Sequence, residues 1–345
     1  MKNISVILFD ATVLGGIQLM TVDTIGILSK NGYNVNFVTM KISDRIYNYL
    51  KKYDLKNVKI KMLPKISNIT LQMLYSRLFY REKDFSINMH GDIQPIASDI
   101  VYFHQFNIDY RIRSPFKEKL ILIPQYIIRK GFMEKIRKEK LVLVNSRWTK
   151  AEAKYFWNIN AEILYPPVHL ERFRNINNLN RNNTVITISR FSRDRGLDNI
   201  IKIAKETDYN FIIAGYLQDQ EYFNEIKDKK TKNIQLYPNI DEETKMKLLS
   251  SSKVYFNPTP YIEGFGTSVV EGMSAGLIPV TSNRGGVIDF VPEKYRFKEF
   301  SKAIEKVKRA MEDWNAKEME EMKKISERFS LENYEKNLLD IINKF

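Results

Sequence analysis

Two carboxylates and a glycine-rich loop stand close together in the second half of this sequence. Glu263 and Glu271 bracket Gly264, Phe265, Gly266 and Thr267 within the stretch 257–291, NPTPYIEGFGTSVVEGMSAGLIPVTSNRGGVIDFV. Glycines let backbone approach a ligand closely. From about Thr267 the pattern Val269, Val270, Met273 with small Ser274 and Ala275 predicts a buried helix, stopped by Gly276. Leu277–Thr281 predicts a short strand and Gly285-Gly286 a tight turn. A glycine loop opening a helix offers N–H groups and the positive end of a dipole, which suits a phosphate.

Like charges repel, so the two glutamates cannot both be phosphate ligands. They serve better as acceptors for hydroxyls, as an acidic residue does for ribose in dinucleotide folds. A phosphate with hydroxyl-bearing rings on both sides has the shape of a nucleotide sugar. The plain alternative is one more strand–loop–helix unit with incidental glutamates.

Further candidates lie at the ends of expected strands, where ligands of open parallel sheets gather. Arg190 and Arg195 follow the strand Thr184–Ser189 and precede a helix, where two cations can neutralise a diphosphate. Surface arginines are the other reading. Gly15-Gly16 follow the strand Ile4–Phe9 without the full dinucleotide fingerprint, so a simple tight turn stays open. His104 ends the strand 99–104, placed either for function or as a buried, hydrogen-bonded structural histidine. His90 is a weaker candidate of the same kind. Pro238-Asn239-Ile240 forms a strand-end loop that could meet a nucleotide base through Ile240.

The stretch from Glu263 to Glu271, with Gly276, Pro279, Gly285 and Gly286, resembles the donor-site signature of retaining glycosyltransferases of family 4. There Glu-x7-Glu brackets a Gly-Phe-Gly loop and Gly-Gly follows. The resemblance implies the GT-B fold: α/β, two Rossmann-like domains facing across a cleft, with a C-terminal helix crossing back. It implies that Gly264–Thr267 and Glu271 bind the donor, that Gly15-Gly16 face its phosphates, and that His104 positions the transferred sugar. It implies that Arg190 and Arg195 hold the leaving nucleoside diphosphate while Glu263 orients sugar hydroxyls. Arg195 stands where that family usually has lysine, so a planar fork replaces a point charge. A narrower resemblance covers residues 141–173, through Asn145-Ser146-x-Trp148-Thr149 and Tyr165-Pro166-Pro167-Val168. It points to the mannosyltransferases that extend dolichol-linked oligosaccharide with α-1,2-mannose.

The elements that must position these residues alternate strand and helix through both halves, as α/β domains do. The expected division is 1–165 for an acceptor-binding domain, 166–328 for a nucleotide-sugar donor domain, and 329–345 for a helix packing back on the first. Pro166-Pro167 stiffens the boundary and the Asn-rich 175–183 stretch reads as a solvated linker.

Composition bounds the chemistry. The 345 residues, 43% hydrophobic, suffice for two folded domains. With no cysteine and three histidines, thiolate catalysis and a Cys/His metal centre are not expected, and no metal is assigned. Without a signal peptide or an apolar run of membrane length, a cytoplasmic protein is expected. Residues 1–165 carry 26 Lys and Arg against 14 Asp and Glu, the remainder 29 against 27. That basic first half is either a solvated surface or a match for an anionic partner. Residues 111–140 read equally as a segment lying in the headgroups of an anionic membrane or as two surface helices broken near Pro124 and Gly131.

With the resemblance, the expected activity is metal-independent, retaining transfer of a hexose, mannose or glucose favoured, from a GDP- or UDP-sugar to a glycan or lipid-linked phosphate acceptor. The expected location is cytoplasmic, peripheral on the membrane face. A nucleotide-sugar epimerase or phosphorylase on the same fold is the rival. A nucleic-acid-binding module ranks lower, since no aromatic-basic RNA motif or zinc finger supports it, and no nucleic-acid partner is assigned.

Overall fold

The computed structural model describes residues 2–13, 15–78, 80, 82–106 and 116–345, and their side chains except those of 116–122 and 139. The chain divides into two compact units, Met1–Pro166 with Glu335–Phe345, and Pro167–Tyr334.

In the first unit the strands are β1 (Asn3–Ile7), β2 (Asp10–Ala11), β3 (Asn34–Thr39), β4 (Lys41–Ile42), β5 (Val58–Met62), β6 (Phe85–Asn88), β7 (Ile100–Phe103), β8 (Leu141–Val144) and β9 (Glu162–Ile163). Seven of them form one sheet in the order β5-β3-β1-β6-β7-β8-β9, and β2 pairs separately with β4. Every ladder of that sheet is parallel. The short Val/Ile-rich runs explain this, because parallel strands between helices are buried on both faces. Ile4, Val6, Ile7, Ile100, Val101 and Phe103 are accordingly buried.

Residues 116–139 correct one expectation. The helix Phe116–Glu139 runs unbroken through Pro124 and Gly131, where one of the two readings of this segment had two helices. Proline removes one ladder hydrogen bond and crowds the preceding turn. Packing outweighs that cost: Phe132, Met133 and Ile136 are buried in a cluster with Phe103, Phe106 and Val144. Residues 111–115 of the same expected segment lie outside the described residues.

The last residues return to the first unit. Asn31 Nδ2 donates to Glu335 Oε1 at 3.0 Å. The Phe85 and Phe345 rings stand 5.2 Å apart, and Lys344 pairs with Glu162 at 3.6 Å.

The second unit holds β10 (Thr184–Ile188), β11 (Asn210–Gly215), β12 (Ile234–Pro238), β13 (Val254–Phe256), β14 (Ile278–Ser282) and β15 (Arg296–Phe297), in the order β12-β11-β10-β13-β14-β15. The first strand is central and the order reverses beside it, as in dinucleotide-binding sheets. Ligands of such sheets bind beyond the carboxyl ends of the two strands at the reversal. Here those strands are β10, which leads to Arg190 and Arg195, and β13, which leads to Glu263.

Candidate functional site

In the second unit the chain after β10 makes a tight turn through Arg193–Arg195 and leaves it at Gly196 with φ +63°. A Cβ at Gly196 would stand 2.8 Å from Pro260 Cδ and 3.0 Å from Pro258 O. Only glycine allows both the positive φ and the close approach. Asn199 Nδ2 reinforces the contact by donating to Pro258 O at 3.2 Å. The two strand-end loops therefore touch, and the consequence is an ion pair. Arg195 Nη1 donates to Glu263 Oε1 at 2.7 Å, and Asn257 Nδ2 donates to Glu263 Oε2 at 2.9 Å. Glu263 is thus gripped at both oxygens.

Asp194 stands between the two arginines. Its Oδ2 lies 3.5 Å from Arg190 Nη2 and 3.3 Å from Arg195 Nε. The second approach is misaligned and leaves Arg195 Nε buried without a hydrogen bond. Arg190 also donates through Nη1 to Gln218 Oε1 at 2.7 Å. Partial burial, then the neighbouring Arg195, holds the Arg190 guanidinium below the usual arginine range.

Past Glu263 the chain reaches Gly266, which has φ +100° and caps the helix Thr267–Ser274 without a side-chain hydrogen bond. The first-turn N–H groups of that helix have no capping side chain. A helix N-terminus of this kind attracts an anion. The loop is supported from below by Gly285 and Gly286. Gly286 N donates to Glu263 O at 2.9 Å. A Cβ at Gly285 would stand 2.3 Å from Glu263 O, and one at Gly286 2.1 Å from Gly264 O. The Gly-Gly pair is thus a close-packing requirement of the loop before it. Phe265 turns inward, its ring 5.3 Å from Phe290 and 5.1 Å from Phe329, so its backbone alone is left for a ligand.

Glu271 lies in the same helix, its side chain 22% exposed, and Lys245 Nζ reaches its two oxygens at 3.3 and 3.4 Å. Lys245 was missed in the sequence, where nothing sets it apart in a helix opened by Glu242 and Glu243. Ile240 is half-buried beyond β12, at the edge of the sheet away from β13. It does not join the hydrogen-bonded group around Glu263.

In the first unit Gly15 precedes the helix Gly16–Lys30 with φ −117° and ψ 174°, extended backbone open to any residue. A Cβ there would meet only the end of the Gln18 side chain, at 2.9 Å. No side chain caps this helix either.

His104 follows β7 and is held from several sides. Its Nε2 lies 2.9 Å from Met89 O, its own N–H donates to Asp92 Oδ2 at 3.0 Å, and its carbonyl accepts Asn145 Nδ2 at 2.7 Å. A carbonyl can only accept, which assigns the proton to Nε2 and leaves Nδ1 as an acceptor. Burial pulls the His104 imidazole down to about 4, so it is neutral at neutral pH. His90 stands edge-on at 5.9 Å between ring centroids, and burial pulls it down to about 3. Burial pushes the Asp92 carboxyl up to about 7, against the pull of Arg129 and the His104 and Gln105 N–H groups.

Among the described residues no group of three or more His, Cys, Asp or Glu is arranged to hold a metal ion. No helix there is long and apolar enough to cross a membrane.

Residues 170–329, nearly all of the second unit, match the family described as "Glycosyl transferases group 1". The fold is that of the GT-B glycosyltransferases. Anabaena Alr3699/HepE in complex with UDP is similar with a TM-score of 0.73 and 14% identity, covering 100% of both chains. A glycosyltransferase from Rickettsia africae ESF-5 has a TM-score of 0.71 and 15% identity, covering 99% of this chain and 98% of that one. In sequence, the Dictyostelium discoideum "GDP-Man:Man(3)GlcNAc(2)-PP-Dol alpha-1,2-mannosyltransferase" is 27% identical over 214 residues, 53% of this chain. The match spans 42% of that relative's length.

Proposed function

We propose that this protein is a retaining glycosyltransferase of the family 4 kind. It moves a hexose, mannose or glucose, from a nucleoside-diphosphate sugar to a glycan or lipid-linked acceptor without a metal. The observation that carries the reading is Glu263, gripped by Arg195 and Asn257 beside a helix N-terminus with no side-chain cap. An anion site, two arginines and a fixed carboxylate lie together at the strand ends where a nucleotide would bind. Glu271 accepts ribose hydroxyls and Glu263 sugar hydroxyls. Gly264–Thr267 offer backbone to the diphosphate and Ile240 meets the base, while Gly15-Gly16 are proposed for phosphate recognition and His104 for the sugar.

Transfer breaks the bond from the anomeric carbon to the diphosphate and forms one to an acceptor hydroxyl oxygen. The acceptor attacks from the face the diphosphate leaves, and its proton passes to the departing phosphate oxygen. Arg190, Arg195 and the helix N-terminus stabilise the charge that develops there, and a donor preorganised in this way typically contributes about 3 kcal/mol. Activity accordingly survives chelation with EDTA. The solved complexes of Anabaena Alr3699/HepE include UDP-glucose, while the Dictyostelium relative is described with GDP-mannose. Both donors therefore belong in the test.

The acceptor side falls to the first unit, whose basic balance suits a phosphate-bearing lipid. The helix Phe116–Glu139 exposes Ile123, Tyr126 and Ile127 beside Lys130, a face suited to peripheral contact with an anionic membrane on its cytoplasmic side.

The deciding experiment is thermal-shift binding of GDP-, UDP- and ADP-sugars to wild type and Glu271→Ala. Stabilisation by one nucleotide class, lost in the variant, is expected. No shift with any nucleotide would remove the reading. Release of nucleoside diphosphate only when acceptor is present separates transfer from epimerase chemistry.

A further inference from the structure

Lysine is rarely buried unless paired, and Lys245 is 9% exposed. It sits in the helix Glu242–Ser251, one turn before the buried Leu249. An ammonium has three donors. Here Nζ faces three carboxylate oxygens, two of Glu271 at 3.3 and 3.4 Å and Glu242 Oε2 at 3.2 Å. Glu242 is held in turn by Arg172 Nη1 at 3.0 Å. The Lys245 ammonium lies over the Phe173 ring, 5.8 Å from its centroid. Exposure is divided unequally within the pair: the Glu271 side chain is 22% exposed, that of Lys245 only 11%. Lys245 therefore grips Glu271 from the protein side and leaves its outer face to a ligand.

We propose that Lys245 is a positioning residue for nucleotide recognition, fixing the Glu271 carboxylate in the orientation that accepts the ribose hydroxyls. The proposal rests on the donor-site reading above. Two hydroxyls on adjacent ring carbons need two acceptor oxygens at a set angle, and a glutamate left to itself samples several rotamers that binding must freeze. A contact to both oxygens removes that freedom before the ligand arrives. The alternating row Arg172, Glu242, Lys245, Glu271 also sums to zero charge, so the acceptor carboxylate adds little repulsion against an incoming diphosphate. Stability alone does not explain the pair, because a buried ion pair is commonly no better than a well-packed apolar one.

The test uses the full chain, titrated with GDP and UDP and with the 2′-deoxy and 3′-deoxy forms of each. In wild type, removing a hydroxyl that Glu271 accepts weakens binding. In Lys245→Met, ribonucleotide binding falls about tenfold, the cost of freezing one long side chain. The ratio of ribo to deoxy affinity moves toward one, a change that a purely structural role would not produce. Lys245→Arg restores the ratio. A folded Lys245→Met with the wild-type ratio overturns the proposal. Should Lys245→Met not fold, Glu242→Gln decides: loosening the far end of Lys245 lowers the ratio, and an unchanged ratio overturns the proposal equally. Glu271→Ala separates the two readings. If it binds every nucleotide like wild type, the donor-site reading fails. If it loses ribose selectivity while Lys245→Met keeps it, only the role of Lys245 fails.

Discussion

Arg195 Nη1 stands 2.7 Å from Glu263 Oε1, joining residues 68 positions apart in sequence. The pair links the loops after β10 and β13, and both side chains stay about one quarter exposed, at 24% and 25%. A ligand phosphate can therefore share the guanidinium without first breaking a buried bridge. Arg195→Met is expected to lower kcat about a hundredfold, the scale for losing one preorganised donor to a developing anion, with a smaller change in donor KM. Arg195→Lys recovers part of the loss, since it restores charge without the planar fork. Steady-state release of nucleoside diphosphate checks this, and a wild-type kcat in Arg195→Met would remove Arg195 from the mechanism.

The Gly285-Gly286 turn yields a second prediction. The atoms that a Cβ would strike at these positions are backbone, Glu263 O and Gly264 O, and backbone cannot swing aside. Gly286→Ala must displace the loop that carries Glu263. Overpacking of this kind costs about 1–3 kcal/mol, and donor affinity should fall at least as far as stability. Gly32→Ala is the control: φ there is also positive, +82°, but nothing lies within 4 Å of the added carbon. It should lower Tm through strain alone and leave nucleotide binding as in wild type. Equal affinities in both variants would contradict the packing argument.

The buried group around Asp92 predicts a pH signature. Folding raises the Asp92 carboxyl to about 7, whereas an unfolded aspartate titrates near ~3.9. Between those values the folded state binds the extra proton. The Asp92 contribution is therefore full at low pH and lost as pH rises through about 7. His90 and His104 act oppositely, staying neutral in the fold down to about 3 and about 4, so they cost stability as pH falls below the ordinary histidine range. Asp92→Asn removes the first effect and keeps the second. The Tm of wild type measured relative to Asp92→Asn should rise from pH 8 to pH 5, and a constant difference would show that Asp92 does not titrate there.

The parts of this architecture legible in the sequence are those written in local pattern. The buried runs 4–7, 184–188 and 278–281 became strands because they are apolar and short. The helix from Thr267 follows from its apolar spacing and the glycine before it. What escaped was written in long-range packing. Lys245 meets Glu271 from 26 residues away, and nothing in its own helix marks it out. Arg195 reads in sequence as a free cation for a diphosphate, yet its partner in the fold is the carboxylate of the candidate site itself. At Pro124 the local signal predicts a break, and the burial of Phe132, Met133 and Ile136 overrides it.

Arg181 shows the same long-range logic and yields the last prediction. It is 7% exposed. Its guanidinium donates through Nε to Asn178 O at 2.9 Å, through Nη1 to Leu249 O at 3.3 Å and Ser252 O at 2.9 Å, and through Nη2 to Ala275 O at 2.7 Å. Leu249 and Ser252 lie at the C-terminal end of the helix that carries Lys245, and Ala275 is the C-cap of the helix that carries Glu271. One cation thus donates to carbonyls at both helix ends, where the dipoles favour positive charge. Arg181→Met fills similar space but takes the guanidinium donors from Ser252 O and Ala275 O, a loss of about 3 kcal/mol. In a unit of this size that lowers Tm by roughly 6–12 °C. The two helices should also lose their register, so donor affinity falls together with stability. Saturating nucleotide should return part of the lost Tm, because binding favours the registered state. Denaturation scans with and without nucleotide measure both effects. A variant that melts early yet binds with wild-type affinity would mean that the helices keep their register without Arg181.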